Sequence, residues 1–402
     1  MIPRLLRTFA GCQNTLAALI FARRFSTTDA SIAVLYQAID PPMIGGLRKP
    51  KKPGGYQDSG ADIAYVLDQR GFRTILPDPH PDPTRNEGWS FADSESDILS
   101  AVKQGANTLW ANTILFESHP IQKSARLGDF ATQLRVIGQP PALVEAYDDK
   151  ALVNNVLADS GSFTIPKFFL ASSDTGAEIP QLLNDHGLSL PVIAKPVRGR
   201  GSHGVRLCRT VPSLADHCSH LWKESPLVIV EEYLAGPEAT VTVMPPSPNR
   251  NEYWALPIVS RFNHDEGIAP YNGTVAVTAN SKVVSKSEYD QDPAFARLSD
   301  ECERVAKLLR VTAPIRIDVR RTSNQHGAAF ALFDVNMKPN MTAPGRPGRE
   351  DQASLTAMAA SGLGWDAPTL LERILETAST LETLRATQLP IEFAKALQNR
   401  KA

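Results

Sequence analysis

Two stretches in the C-terminal third constrain the fold of this chain most. In Ala313–Arg320, Ile315, Ile317 and Val319 alternate with Arg316, Asp318 and Arg320. A period of two puts the charged side chains on one strand face. In Ala329–Met341, Leu332 and Phe333 lead into Asp334, Val335 and Asn336, so Asp334 and Asn336 also share a face. The polar loop TSNQHG between them suits a hairpin. Pairing the strands would gather Asp318, Asp334 and Asn336 beside Arg316. An all-oxygen set with few charges suits magnesium, which keeps waters and takes its other ligands from substrate phosphates. The bland alternative is a hairpin with a solvated polar face, although polar residues ending apolar strands are costly unless paired or metal-bound.

At 402 residues the chain is long enough for two or three lobes. Its 42 basic and 43 acidic residues leave no electrostatic footprint for nucleic acid. No apolar run approaches the length of a membrane span. Cys12, Cys208, Cys218 and Cys302 are scattered without a CxxC and read as reduced and intracellular. His217, Cys218 and His220 read as part of a solvated helix after Pro212, with a metal site as the lesser alternative.

Residues 1–28 hold Arg4, Arg7, Arg23 and Arg24, with no acid before Asp29. An arginine-rich, acid-free leader with an apolar side resembles a mitochondrial transit peptide, with a cut near Phe25–Ser26. A disordered tail is the alternative. From Ser31, strands (32–39, 73–76, 108–110) alternate with helices (61–70, 94–103), which predicts an α/β lobe with a parallel sheet over 29–146. The loop after its first strand carries Arg48, Lys49, Lys51 and Lys52. It lies at the C-terminal end of a strand, where open α/β sheets bind ligands, so it could receive an anionic substrate. Solvated surface is the alternative.

A second lobe, 147–236, opens with Asp148-Asp149-Lys150 and a helix over 151–157. The apolar strand 191–196 ends in Lys195-Pro196. The Gly-rich run through Gly199, Gly201, Ser202 and Gly204 follows, and its backbone N–H groups could approach phosphate oxygens. A further strand, 227–234, runs into Glu231 and Glu232, then Leu234 and, after a turn, Glu238. A third lobe spans 237–385. It holds a loop spanning 261–280, expected to cover the nucleotide, with a strand at 274–278, an amphipathic helix at 293–309 and helices at 354–361 and 366–384; a helical tail, 386–402, follows it.

From about Tyr147 to Trp365 these pieces resemble ATP-grasp ligases of the D-alanine–D-alanine ligase branch. Lys195-Pro196 precedes a Gly/Ser loop, Glu231-x-x-Leu234-x-Gly236-x-Glu238 follows, and Arg316-Ile317-Asp318 is followed by Asp334-Val335-Asn336. The resemblance implies an ATP-grasp fold, α/β and α+β, behind an N-terminal Rossmann-like (pre-ATP-grasp) domain. It also implies ATP with Mg2+, Mn2+ being an acceptable substitute, and small carboxylate and amine substrates. Lys150 and Lys195 would bind phosphates with the loop of Gly201, Ser202 and Gly204. Glu231, Glu232 and Leu234 would border adenine, and Glu238 would hold the ribose. Arg316 would stabilise an oxyanion, Asp318, Asp334 and Asn336 would hold metal, and Ser354 would lie near the acceptor's carboxylate. A homodimer is left open. Lys282 is only a candidate for the family's nucleotide-covering lysine.

The chain departs from that branch in several places. Asp334 stands where Glu is usual and Asn340 where Gly is usual. Gly201-Ser202 replaces a Ser-Ser pair, and the basic first loop lacks the glutamate that meets the donor's ammonium. Pro344–Asp351 looks inserted and brings Arg346 and Arg349. The expectation is a ligase whose substrates are not two D-alanines, with Arg346 or Arg349 contacting an anionic one. The alternatives are a carboxylase-type ATP-grasp enzyme and an inactive nucleotide-binding protein.

Overall fold

In the computed structural model, residues 29–44, 46–49, 51–199, 201–264 and 277–399 are described. The leader 1–28 and most of the loop expected over the nucleotide, including the first part of the strand expected at 274–278, lie outside the described residues. Val277–Ala279 forms a 3-10 turn.

The first lobe has β1 (Ser31–Tyr36), a short hairpin of β2 (Met43–Ile44) and β3 (Leu47–Arg48), then β4 (Arg73–Thr74), β5 (Phe91–Ala92), β6 (Thr108–Asn112) and β7 (Arg135–Ile137). β1 runs parallel to β4, β5 and β6, and β6 parallel to β7. The near-continuous apolar sequence of β1 reflects burial on both faces. Helices Gln57–Gln69 and Glu95–Lys103 cover the sheet, and Ser94 caps the second by accepting from the Asp97 N–H.

The second lobe is an antiparallel sheet of β8 (Phe168–Ala171), β9 (Val192–Pro196), β10 (Arg206–Cys208) and β11 (Val228–Glu232), in the order β10-β9-β11-β8. Helix Val211–Leu221 packs its Leu214, Cys218 and Leu221 onto that sheet. His217 bonds the Gly204 carbonyl and His220 is exposed, so the His-Cys-His run converges on nothing.

The third lobe is a larger antiparallel sheet of β12 (Glu238–Met244), β13 (Trp254–Ala255), β14 (Val259–Arg261), β15 (Ser281–Val283), β16 (Ile315–Arg321) and β17 (Phe330–Asn336). Helix Pro293–Leu308 supplies Leu298, Cys302 and Val305 to the core it shares with helix Lys150–Asp159. The three described cysteines are buried and unbridged.

The end of the chain departs from expectation. Instead of one helix over 366–384, helix Ala367–Leu375 is followed by β18 (Ser379–Thr380) and helix Leu381–Ala386. β18 pairs antiparallel with β7, extending the first lobe's sheet. That lobe is therefore discontinuous in sequence, and the boundary expected at 385 falls inside a segment that completes the N-terminal sheet. Thr380 favours the break by capping the new helix through the Thr383 N–H. The tail helix Ile391–Asn399 packs on helix Lys150–Asp159, with Phe393 edge-on to Tyr147 at 4.8 Å. Among the described residues no helix is long and apolar enough to cross a membrane.

Candidate active site

A cavity of about 710 Å³ opens where the three lobes meet. Strand ends deliver its charged side chains, because side chains on one face of a sheet project together at the open edge. β16 and β17 pair with Asp318 opposite Asp334 and Arg316 opposite Asn336, and the register shifts immediately after Asp318. The oxygen cluster expected from the alternating sequence is thus assembled, and all four side chains line the cavity.

Each of these carboxylates is held by a cation of the chain. Arg316 Nε donates to Asp318 Oδ1 and Nη2 to Oδ2, both at 2.8 Å. Thr240 Oγ1 adds a bond to Oδ1 at 2.9 Å and Asn336 Nδ2 one to Oδ2 at 3.0 Å. Lys150 Nζ donates to Asp334 Oδ1 at 2.6 Å. Burial works to raise the Asp334 carboxyl, but Lys150 and Lys195 outweigh it and hold it below its ordinary value. Burial likewise works to lower Lys150, and Asp334 outweighs it, so Lys150 lies above its ordinary value. Opposite charge at contact distance favours both charged forms.

Lys195, delivered by β9, lies 2.7 Å from Glu231 of the adjacent β11, and it donates to the Phe333 carbonyl at 2.9 Å. Both side chains are about 5 % exposed or less (4 % and 5 %). Burial pushes the Glu231 carboxyl up, and Lys195 opposes that. Glu232, one residue on, faces outward, and Leu234 is buried, both at the cavity lining. Glu238 is buried and accepts from His264 Nε2 at 2.9 Å. The Gly-rich run also reaches the lining, with Gly201 at φ +56°, Ser202 at +62° and Gly204 at +71°. Gly204 is required sterically as well as by its φ. A Cβ there would lie 2.8 Å from Leu221 Cδ2 and 3.0 Å from Pro196 Cδ.

Three residues expected at the substrate lie elsewhere. Arg346 is 1 % exposed and donates to Asp62 Oδ1 at 2.8 Å, to Asn86 Oδ1 at 2.6 Å and to the Arg85 carbonyl. Arg349 grips the same Asp62 carboxylate through Nε and Nη2. Ser354 is buried and caps helix Leu355–Ser361. None of the three lines the cavity. The physical reason is Asp62, a buried acid inside a first-lobe helix that recruits both arginines. Lys282 is on the surface with Glu288 at 2.8 Å.

The lining also holds Asn112 at the C-terminal end of β6, Tyr56 just before helix Gln57–Gln69, and Lys338 on the chain leaving β17, while Thr240, opposite Asp318 on the neighbouring β12, fixes that carboxylate from within the sheet. Lys338 was legible, as a base two residues beyond Asn336 in the sequence. Tyr56 and Asn112 carry no local signal.

Asp318, Asp334 and Asn336 offer two carboxylates and an amide oxygen. Among the described residues no group of three or more His, Cys, Asp or Glu comes together. A closed cage is therefore not built, whereas an open oxygen set on a cleft wall fits a magnesium that keeps waters and phosphate ligands. Lys150 and Arg316 occupy the carboxylates with positive charge, where a bound cation would compete for them.

A three-lobed chain with two antiparallel sheets behind an α/β domain, and a cleft of paired lysines and carboxylates between them, has the ATP-grasp architecture. The chain belongs to the family described as D-ala D-ala ligase C-terminus, which matches residues 166–376, just over half its length. It is similar to the D-alanine–D-alanine ligase of Aquifex aeolicus, 28 % identical over 196 residues, 48 % of this chain and 58 % of that one. It is also similar to inositol-tetrakisphosphate 1-kinase 3 of Arabidopsis thaliana, 24 % identical over 288 residues, 69 % and 79 % of the two chains. In fold it resembles the Bacillus anthracis D-alanine–D-alanine ligase complexed with ATP, with TM-score 0.60 at 16 % identity over 89 % of this chain and 99 % of that one. The chain spans 25 % to 66 % of the length of the first three curated relatives it matches.

Proposed function

We propose that the protein is an ATP-dependent carboxylate–amine ligase working through an acyl phosphate. The observation that carries this reading is the convergence of Lys150, Lys195, Arg316, Asp318, Asp334 and Asn336 on one cavity. Lys150 and Lys195 would exchange their carboxylate partners for ATP phosphates, aided by backbone N–H groups around Gly201, Ser202 and Gly204. Glu231, Glu232 and Leu234 would border the adenine, and Glu238 would pass from His264 to the ribose hydroxyls. Asp318, Asp334 and Asn336 would hold magnesium or manganese, which neutralises charge on the transferring phosphoryl group.

A substrate carboxylate oxygen then bonds to the γ-phosphorus as the bridging P–O bond to ADP breaks. An amine nitrogen attacks the acyl carbon, phosphate leaves, and the amine gives up a proton. Arg316, at the cavity edge of β16, would hold the tetrahedral oxyanion.

The test is ADP release across a panel of amino acids and carboxylic acids, with hydroxylamine added to trap the acyl phosphate. Arg316→Ala should retain more hydroxamate formation than amide formation, and equal losses would remove its oxyanion role. Absence of any substrate-dependent ADP release would sink the ligase reading in favour of an inactive nucleotide binder. Bicarbonate-dependent release would favour a carboxylase. The kinase relative, matched over 79 % of its length, supports a second reading, phosphoryl transfer to a hydroxyl. A stable phosphorylated product and no hydroxamate would establish that instead. We also propose mitochondrial targeting by residues 1–28; a cytosolic signal from that segment fused to a fluorescent protein would reject it.

A further inference from the structure

We propose that the substrate held against the N-terminal wall carries an anionic group beyond the carboxylate that reacts, and that Lys51, Lys52 and Lys338 receive it. This rests on the ligase reading for the place of the reacting carboxylate. Among the described residues up to 146, the lining includes Lys49, Lys51 and Lys52 and no carboxylate. Lys338 enters from the other side, on the chain leaving β17. Lys52 Nζ lies 4.7 Å and Lys338 Nζ 3.4 Å from the centroid of the Tyr56 ring. Two ammonium groups from different lobes thus share one ring. Their repulsion is partly offset by the ring's negative faces, and an anion between the lobes would offset it further.

The present partners of the loop lysines are readily exchanged. Lys51 donates to the Ala38 carbonyl at 2.7 Å and lies 3.3 Å from Asp40, itself 56 % exposed. Lys52 lies 3.4 Å from Asp58, both about a third exposed (37 % and 34 %). Exposed pairs of this kind contribute little to stability. Lys49 differs: its 2.6 Å pair with the largely buried Asp148 ties the loop to the second lobe. Gly55 sets the loop's exit. Its φ is +57°, a Cβ there would lie 1.9 Å from the Gln37 carbonyl oxygen, and its own carbonyl accepts from the Gln37 N–H. Helix Gln57–Gln69 begins at the next turn without a side-chain cap, so its positive end adds to the same wall. An ammonium desolvated here would face lysines instead of an acid.

Calorimetry on the full chain without nucleotide tests this with three probes: glutarate, glycerol 3-phosphate and uncharged glutaramide. At least one anion should bind and glutaramide should not; which anion binds separates a carboxylate from a phosphate. Lys51→Gln with Lys52→Gln should weaken that anion by about tenfold or more, and Lys338→Met alone should weaken it in the same direction. Binding to the unaltered protein should also fall as sodium chloride is raised, which requires no variant to fold. Failure of both anions to bind, equal binding of glutaramide, or affinities unmoved by the substitutions would overturn the inference. Because binding is read without turnover, loss of the ligase reading in the ADP assay would be recognised separately.

Discussion

The two sides of the cavity handle charge differently. On the side built by β9, β11, β16 and β17, cations meet carboxylates at short range: Lys195 with Glu231 at 2.7 Å, Lys150 with Asp334 at 2.6 Å, Arg316 with Asp318 at 2.8 Å. On the N-terminal side the lining lysines have longer, more exposed partners, Asp40 and Asp58 at 3.3 and 3.4 Å, with Lys49 the exception. Close pairing keeps buried charges tolerable until other ions replace one partner. A surplus of one sign instead concentrates a field for a ligand of the opposite sign. A pocket can thus hold exchangeable charge for a common cosubstrate on one wall and selective charge for a particular substrate on the other. Away from both, Arg346, Arg349 and Asp62 form a third arrangement, a buried tie between lobes that reaches neither wall.

Asp334 carries the charged wall's largest effect. Asp334→Ala should reduce ADP release by about a hundredfold or more, since loss of an oxygen ligand to the transferring phosphoryl group costs several kcal/mol. The thermal melt should remain cooperative, because the side chain is partly exposed (21 %). Turnover kept at the level of the unaltered protein would remove the metal assignment and leave the pair with Lys150 a structural one.

Asp62→Asn tests whether the third arrangement is structural alone. Arg346 would stay buried with its charge uncompensated, at a cost of about 3–5 kcal/mol of stability read by denaturant unfolding. The KM for ATP should stay within about twofold. A large change in KM with little loss of stability would put Arg346 and Arg349 back in the substrate site.

A weaker effect falls on the pH dependence of the Lys150–Asp334 pair. Asp334 lies below its ordinary value of 3.8, so its contribution is complete above that pH and is lost as pH falls through the depressed value. Lys150 lies above 10.5, so its contribution is complete below 10.5 and is lost as pH rises through the raised value. The pair is therefore intact across neutral pH. The difference in melting temperature between the unaltered protein and Asp334→Asn should be flat from pH 5 to 9 and shrink below about pH 3.8. A difference that shrinks near neutrality would mean the pair is not the source of the shift.

What could be read in the sequence was whatever local periodicity and contiguous motifs encode. Alternation in 315–319 and the run 332–336 placed Arg316, Asp318, Asp334 and Asn336 together, because a period of two leaves one choice of face once a hairpin forms. The apolar strand before Lys195 and the glycines after it marked a loop able to approach phosphates for the same local reason. Tertiary structure alone decided the pairings between residues distant in the chain. Asp62 claims Arg346 and Arg349 across nearly three hundred positions, Lys52 and Lys338 both come over the Tyr56 ring, and β18 returns to the first lobe's sheet. An arginine with no local partner looks free in sequence. Burial makes an unpaired charge so costly that the fold must bring it a counter-ion, and where that counter-ion lies is set by lobe packing.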